Sequence, residues 1–313
     1  MNFKIAIKNL FKDYWGVISL VYISTIILIS IFAYWISPDS SLNANQMNLN
    51  IHSKSPGFSS FILKIPKNYN IDKLSISDND IVIKDYKIVN NKLFYSEVGS
   101  FSKDQKQIDI TKILKDHDVK EFESKFMKKK TFYLGTDKYG RDMLSRMIIG
   151  SRVSISIGFV AVIISLIIGV LIGLTSGYFG GLFDDFIVWL INVFWAIPTL
   201  LLVIAITISL GKGYWQVFFA VGLTMWVEVA RLVRGQVRTL KEKLFIQSAK
   251  VLGFSSYRIM LNHILPNLLG PLIVISAANF ASAILIESGL SFLGIGVQPP
   301  VPSWGGMIKD HFR

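Results

Sequence analysis

The sequence has no cysteine and little charge. Without cysteine there is no disulfide framework, no thiolate metal site, no iron–sulfur cluster and no cysteine nucleophile. Charged residues make up 17% of the 313 positions, against about 25% in soluble globular domains. Hydrophobic residues make up 51%, so a purely soluble protein is excluded. Catalytic motifs are missing too. There is no GxxxxGKS/T loop, so the chain is not expected to bind ATP itself. The histidines His52, His117, His263 and His311 stand isolated, with no HExxH spacing, and no GxSxG nucleophile turn occurs. No catalytic, metal-ligating or cofactor-binding residue is expected.

What is present is hydrophobicity in blocks. Trp15–Ile36, Val153–Ser176 and Phe186–Leu210 carry no charge. Tyr214–Val227 carries none and extends past Glu228 to about Val233, and Leu268–Leu293 carries only Glu287. A bilayer core takes about 20 apolar residues per helix, and backbone hydrogen bonding in lipid makes such segments helical. Five spans follow. The first is long and precedes no small-x-small cleavage site, so it reads as a retained anchor rather than a signal peptide.

Lysine and arginine set the orientation. Lys4, Lys8 and Lys12 precede the first span, and Arg231, Arg234, Arg238, Lys241, Lys243, Lys250 and Arg258 lie between the fourth and fifth. With five spans both groups fall on one side, expected to be cytoplasmic. Lys212 stands alone between the third and fourth spans, in weak agreement. Arg141, Arg146 and Arg152 fall on the outer side, after a long segment where the rule weakens.

That segment, 38–134, differs from the rest. It holds 16 lysines and 12 acids, is rich in Asn and Ser, and has strand-like patches at Ile81-Val82-Ile83 and Lys92-Leu93-Phe94-Tyr95. It is long enough for a small extracytoplasmic domain of mixed or β-rich structure. It would serve as a solvated spacer or as a docking surface. Its net charge of +4 is too dilute for a nucleic-acid site.

The basic linker contains Phe245-Ile246-Gln247-Ser248-Ala249-Lys250-Val251-Leu252-Gly253 and then His263-Ile264-Leu265-Pro266-Asn267. A short helix carrying Ser248 and Ala249 should end at Gly253, since glycine readily takes the left-handed cap. A second helix over 255–264 should stop near Pro266, because the residue before proline avoids helical angles. Two short helices at a glycine make a compact knob. This segment resembles the EAA loop of ABC importer permeases, with Gln247-Ser248-Ala249 at the Glu-Ala-Ala positions and Gly253 and Leu265-Pro266 in step. Gln247 stands where glutamate is usual and Ser248 where alanine is usual, so any ion pair there becomes a neutral hydrogen bond.

Two further segments narrow the resemblance. Gly135-Thr136-Asp137-Lys138-Tyr139-Gly140-Arg141-Asp142, followed by Ser145-Arg146, is similar to the GTDxxGRDxxSR segment of the C-type permeases of dipeptide, oligopeptide and nickel importers. In physical terms Gly135 and Gly140 permit a tight turn, and Asp137, Arg141 and Asp142 could make a charge-paired start to the second span. Glu287-Ser288-Gly289-Leu290-Ser291-Phe292-Leu293-Gly294, with Pro299-Pro300 and Ser303-Trp304-Gly305, is similar to that family's outer segment after the fifth span. The likeness covers 132–313 closely and 1–37 loosely, and leaves the insert 38–134 uncovered. It implies an all-α polytopic permease of the bacterial inner membrane, with a cytoplasmic N-terminus and five of the family's six transmembrane helices. The last helix, which would follow Trp304-Gly305, is expected to be missing from these residues.

The resemblance further implies a peptide importer or, alternatively, one for nickel or another small solute. It would be built with a second permease, two ATPase subunits that bind ATP and Mg, and an extracytoplasmic binding protein. In it Gln247, Ser248, Ala249, Gly253, His263 and Pro266 would serve the ATPase-coupling loop within 234–267. Contact with membrane lipid is expected and contact with nucleic acid is not. Rival readings are a membrane-tethered binding module working through 38–134 and a secondary transporter, for which only Glu228 and Glu287 supply intramembrane acids.

Other residues raise narrower expectations. Gly169, Gly173, Gly177 and Gly181 form a small-residue ladder for close helix approach, within this chain or against a partner permease. Pro198 should kink the third span. Glu228 should pair with Arg231 one turn on, and Glu287 should bond to the loop that follows it or face the pore. Trp189 and Asn192 replace an Arg and an Asp often found in the family.

Overall fold

A computed structural model describes residues 8, 10–64, 80–99, 105–110, 119–211 and 213–311; Lys4, His117 and Lys212 lie outside them. The chain divides into two compact units. One is Ser37–Met147, and the other comprises the segments before and after it.

Among its described residues, the unit Ser37–Met147 holds a five-stranded antiparallel sheet and a helix packed with it. Its strands are β1 (Phe58–Lys64), β2 (Asp80–Val89), β3 (Lys92–Glu97), β4 (Lys106–Asp109) and β5 (Met127–Phe132), in the order β4-β3-β2-β1-β5. Both strand patches read from the sequence lie in it, in β2 and β3. Asn90 and Asn91, at φ 49° and 58°, make the two-residue turn between those strands, since asparagine tolerates the left-handed region that such hairpins need. Ile81 and Ile83 pack with Leu63, Leu93 and Phe122 on one face. Val82 packs with Ile51, Ile62 and Phe132 on the other.

The second unit is helical. α1 (Tyr14–Ile31) is capped by Asp13, which accepts the Trp15 N–H at 3.2 Å, and α2 (Ala33–Ile36) follows. In the sheet unit, α3 (Val119–Phe126) precedes β5. Then come α4 (Met143–Phe179), α5 (Gly181–Ala196), α6 (Thr199–Leu210), α7 (Tyr214–Lys241), α8 (Leu244–Val251), α9 (Ser256–Arg258), a π-helical segment Ile259–Ile264, α10 (Leu265–Phe292) and α11 (Trp304–His311). Among the described residues, four helices are long and apolar enough to cross a membrane, and a fifth crossing is available if α5 and α6 count as one.

The third span differs from the expected kinked helix. α5 and α6 are separate helices meeting at 91°. Ile197, before Pro198, is extended at φ −94° and ψ 127°. The bend has a packing cause. Ile187 and Ile191 of α5 bury against Trp226, Val227 and Ala230, whereas Val203 of α6 buries against Val217 and Val221 in a different cluster.

The direction of neighbouring helices decides whether that bent pair crosses. A Cβ placed on Gly222 would meet Ile164, and Cβ atoms on Gly169, Gly173 and Gly177 would meet Val229, Val233 and Val237 in turn. Positions on α4 and α7 rise together, so the two helices run parallel. The chain must therefore return across their full length through α5 and α6, which form a broken span and not a re-entrant loop. α10 runs the opposite way, with Leu268 packed by Leu174 and Phe280 against Gly158. Three members of the glycine ladder thus pack within this chain. Gly181 is the exception, at φ 64° with open space around it.

α5 is fastened to α7 near its start. Asp184 takes two hydrogen bonds from Arg234, Nε at 2.5 Å and Nη2 at 2.7 Å. Charge-assisted pairs of this fork geometry are the strong kind. Asp184→Asn is expected to lower the stability of the detergent-solubilised chain by about 1.5–3 kcal/mol, read as a shift in its unfolding midpoint. A midpoint equal to wild type would show that the pair does not hold α5.

Candidate functional site

The basic loop is built as a knob with a buried root. In α8, Ile246 and Ala249 point inward and pack with Ile259, Met260 and Ile264, and with Leu174, Tyr178, Val233 and Val237 of the long helices. Gln247 and Ser248 are exposed. Gln247 Nε2 donates to the Glu242 carbonyl at 3.2 Å, and the Ser248 carbonyl accepts the Leu252 N–H at 3.0 Å. Gly253 takes φ 77°. Its N–H reaches the Lys250 carbonyl at 3.0 Å, and the Phe254 N–H reaches that of Ala249 at 3.1 Å. This is a Schellman termination, for which glycine is the natural residue. The His263 ring stacks on Phe254 with centroids 5.7 Å apart, and Arg258 lies over the same ring at 4.7 Å.

The expected stop near Pro266 is corrected. Helical structure runs on through Pro266 into α10, and Leu265 keeps helical angles at φ −54° and ψ −41°. Proline removes the N–H that the Asn262 carbonyl would accept in an α-helix. The chain answers by widening to a π turn just before it, where the Leu265 N–H bonds the Met260 carbonyl. Ile259, Ile264 and Leu268 all bury in one cluster, which holds the two sides of the proline in line.

Outward, the knob exposes apolar surface among basic residues. Leu244 is 80% exposed, Val251 88%, Leu252 72% and Tyr257 70%.

The segment 135–146 is brought together around one carboxylate. Asp137 is buried and accepts the N–H groups of Tyr139 at 2.8 Å and Arg141 at 2.9 Å. It also accepts Arg141 Nε at 2.6 Å, and Arg146 Nε stands 3.8 Å away. Arg141 reaches on to Asn45 Oδ1 at 3.1 Å. Thr136 Oγ1 donates to the Ile51 carbonyl and accepts the Lys54 N–H at 2.9 Å. Asp142 accepts the Ser145 N–H at 3.3 Å and its hydroxyl, which caps the start of α4. Gly140, at φ 72°, lies so close to the Asn48 carbonyl that a Cβ would stand 1.7 Å from its oxygen. Gly135, at φ 76°, is similarly placed against Lys54. Asp39, whose N–H donates to Ser145 Oγ at 2.9 Å, joins Asn45, Asn48 and Ile51 as the other half of this cluster, which sequence reasoning did not find. Their only signal was an Asn-rich stretch.

Within the helical unit, Glu287 is fully buried on α10. Ser291 Oγ donates to it at 2.6 Å and accepts the Val297 N–H at 3.1 Å, so the carboxylate is tied to the loop that follows. The expected Glu228–Arg231 pair is not formed. Arg231 turns away, with Nη2 3.0 Å from Asn192 Oδ1 and its guanidinium 3.5 Å from the centroid of the Trp195 ring. Trp189 is exposed. Glu228 instead lines a cavity of about 330 Å³ beside the break between α5 and α6, with Phe194, Trp195, Thr199, Thr224 and Ser282 among its neighbours.

Residues 169–312 match the family of binding-protein-dependent transport system inner membrane components, and residues 2–56 match the N-terminal transmembrane domain of oligopeptide transport permease C. The chain is 39% identical over 181 residues to the oligopeptide transport system permease protein OppC of Bacillus subtilis, and 45% identical over 178 residues to that of Escherichia coli K12. It is 43% identical over 178 residues to the glutathione transport system permease protein GsiD of Shigella flexneri. These alignments cover 57–58% of this chain and 59% of each relative, so the chain spans about three fifths of the length of the relatives it matches.

Proposed function

The chain belongs to the family of binding-protein-dependent transport system inner membrane components, and from that premise we propose that it forms half of the pore of an ATP-driven importer for peptides. A second permease would supply the other half, an extracytoplasmic binding protein would deliver the peptide, and two ATPase subunits would bind ATP and Mg. The chain is a multi-pass inner-membrane protein and would itself hydrolyse nothing. The peptide assignment is supported by the names of its relatives, which are oligopeptide, dipeptide and glutathione permeases.

One observation carries the coupling role. The knob around Gly253 has its root in the bundle core and an exposed apolar and basic face. A push on α8 would therefore be transmitted to α4, α7 and α10 through Ile246, Ala249, Ile259 and Ile264. The helix directions support placing the knob on the same side as Lys8 and Lys12. If α1 crosses outward, then α4 crosses inward, the bent pair outward and α7 inward, and the knob would lie where the basic residues gather.

The test is a mild-detergent pull-down from the native membrane with mass spectrometry, repeated for Gly253→Val. Wild type is expected to bring ATPase subunits and a second permease. Nothing lies within 4 Å of Gly253, so valine meets no clash there. It does face a left-handed backbone costing on the order of 1–2 kcal/mol, which should re-aim α8. Recovery of the ATPase subunits is expected to fall about tenfold, with chain abundance unchanged. Absence of ATPase subunits from an abundant, folded wild-type preparation would overturn the coupling role.

A further inference from the structure

We propose that Glu228 is the counter-charge for side-chain ammonium groups of the solute, such as those of lysine, as it passes the cavity beside the α5–α6 break; this rests on the peptide-importer reading above. Glu228 is the first charge on α7 after Tyr214 and lies within the membrane-crossing part of that helix. A carboxylate there is costly against lipid, and such groups face a water-filled path or a partner charge. Within this chain its natural partner is already engaged. Arg231, one turn on, is held by Asn192 and by the Trp195 ring, and Glu228 makes no ion pair among the described residues.

The cavity around Glu228 has the chemistry of a cation site. None of its lining residues is basic. The Thr224 hydroxyl donates to the Val221 carbonyl at 2.8 Å, so it offers the cavity only lone pairs. Thr199 and Ser282 add further hydroxyls, which can accept as well as donate. Phe194 supplies an aromatic wall, whose face attracts an ammonium. Phe194 and Trp195 also belong to the last turn of α5, the negative end of that helix's dipole. A carboxylate, hydroxyl oxygens, an aromatic ring and a helix C-terminus all favour a positive group; Arg231, stacked on the Trp195 ring that lines the cavity, is the opposing charge that Glu228 has to outweigh.

The test uses the transporter purified with the subunits that accompany this chain from its native membrane, and reconstituted into liposomes with its binding protein. Uptake of trilysine, trialanine and triglutamate is compared for wild type, Glu228→Gln and Glu228→Asp. The glutamine variant keeps the side-chain shape and removes the charge. It is expected to lower trilysine uptake about tenfold relative to triglutamate, the loss of one charge-assisted contact. The aspartate variant is expected to recover most of it. Subunit recovery from each variant checks assembly. An equal loss for all three peptides would mean that Glu228 pairs with a partner subunit or holds the fold, and would overturn the inference; so would no change. Wild-type liposomes that import none of the peptides would overturn the importer reading itself, a result distinct from either of those.

Discussion

Gly173→Val is expected to unfold the helical unit or to cost it about 3 kcal/mol, read as a fall in the unfolding midpoint in detergent. A Cβ at Gly173 would stand 2.5 Å from the Ala230 carbonyl oxygen and 2.8 Å from the Val233 Cβ. The first of these is backbone and cannot swing aside as a flexible side chain would. α4 and α7 would have to separate, and the separation would run along the whole parallel contact, since Gly169 and Gly177 lie as close to α7 one turn to either side. Overpacking of a soluble core costs about 1–3 kcal/mol, occasionally more. In a membrane the cost is felt more directly, because close packing is itself a main source of helix association there. The same contact also frames the root of the knob, where Leu174 and Tyr178 meet Val233 and Val237. Gly235 lies on the same helix α7 but has nothing within 4 Å. Gly235→Ala is therefore expected to be neutral or slightly stabilising. If Gly173→Val and Gly235→Ala unfold at the same midpoint, the close approach of α4 to α7 does not hold the unit together.

The contrast between two prolines shows where the sequence is legible and where it is not. The rule that a residue before proline avoids the helix applies equally to Ile197 and Leu265. At Ile197 it holds, and the chain turns by 91°. At Leu265 it fails, and the helix widens to a π turn and carries on. What separates the two is the partner on each side of the proline. Around Pro198 the flanking apolar residues bury in two different clusters; around Pro266 they bury in one. Which cluster a side chain joins is a long-range fact that no local pattern encodes.

The same limit explains Glu228 and Arg231. Spacing puts them on one face of α7, but Asn192 and Trp195 of α5 compete for the guanidinium and win. Features set by local physics were readable. The apolar blocks gave the helices, glycine at 253 gave the left-handed cap, and the strand patches gave β2 and β3. The small-residue spacing of Gly169, Gly173 and Gly177 announced a close helix contact without naming its partner.

Asp137→Ala is expected to cost the sheet unit about 3–5 kcal/mol, the usual consequence of removing one member of a buried ion pair. Asp137 is 1% exposed, and Arg141 and Arg146 beside it are 2% and 5% exposed. The carboxylate satisfies two backbone N–H groups as well as Arg141 Nε. Its loss therefore strips the turn and the guanidinium together. Alanine fits sterically, so the effect is electrostatic. Hydrogen exchange of the full chain, followed by mass spectrometry, localises it: peptides covering 45–56 and 135–147 should lose protection, and those from α7 should not. Asp137→Leu combined with Arg141→Met should cost less than the sum of the two single changes, because both remove the same ion pair. Two single costs that simply add would mean that the residues act separately. A loss below about 1 kcal/mol for Asp137→Ala, the range of an exposed pair, would mean that the cluster does not fasten 45–56 to the start of α4.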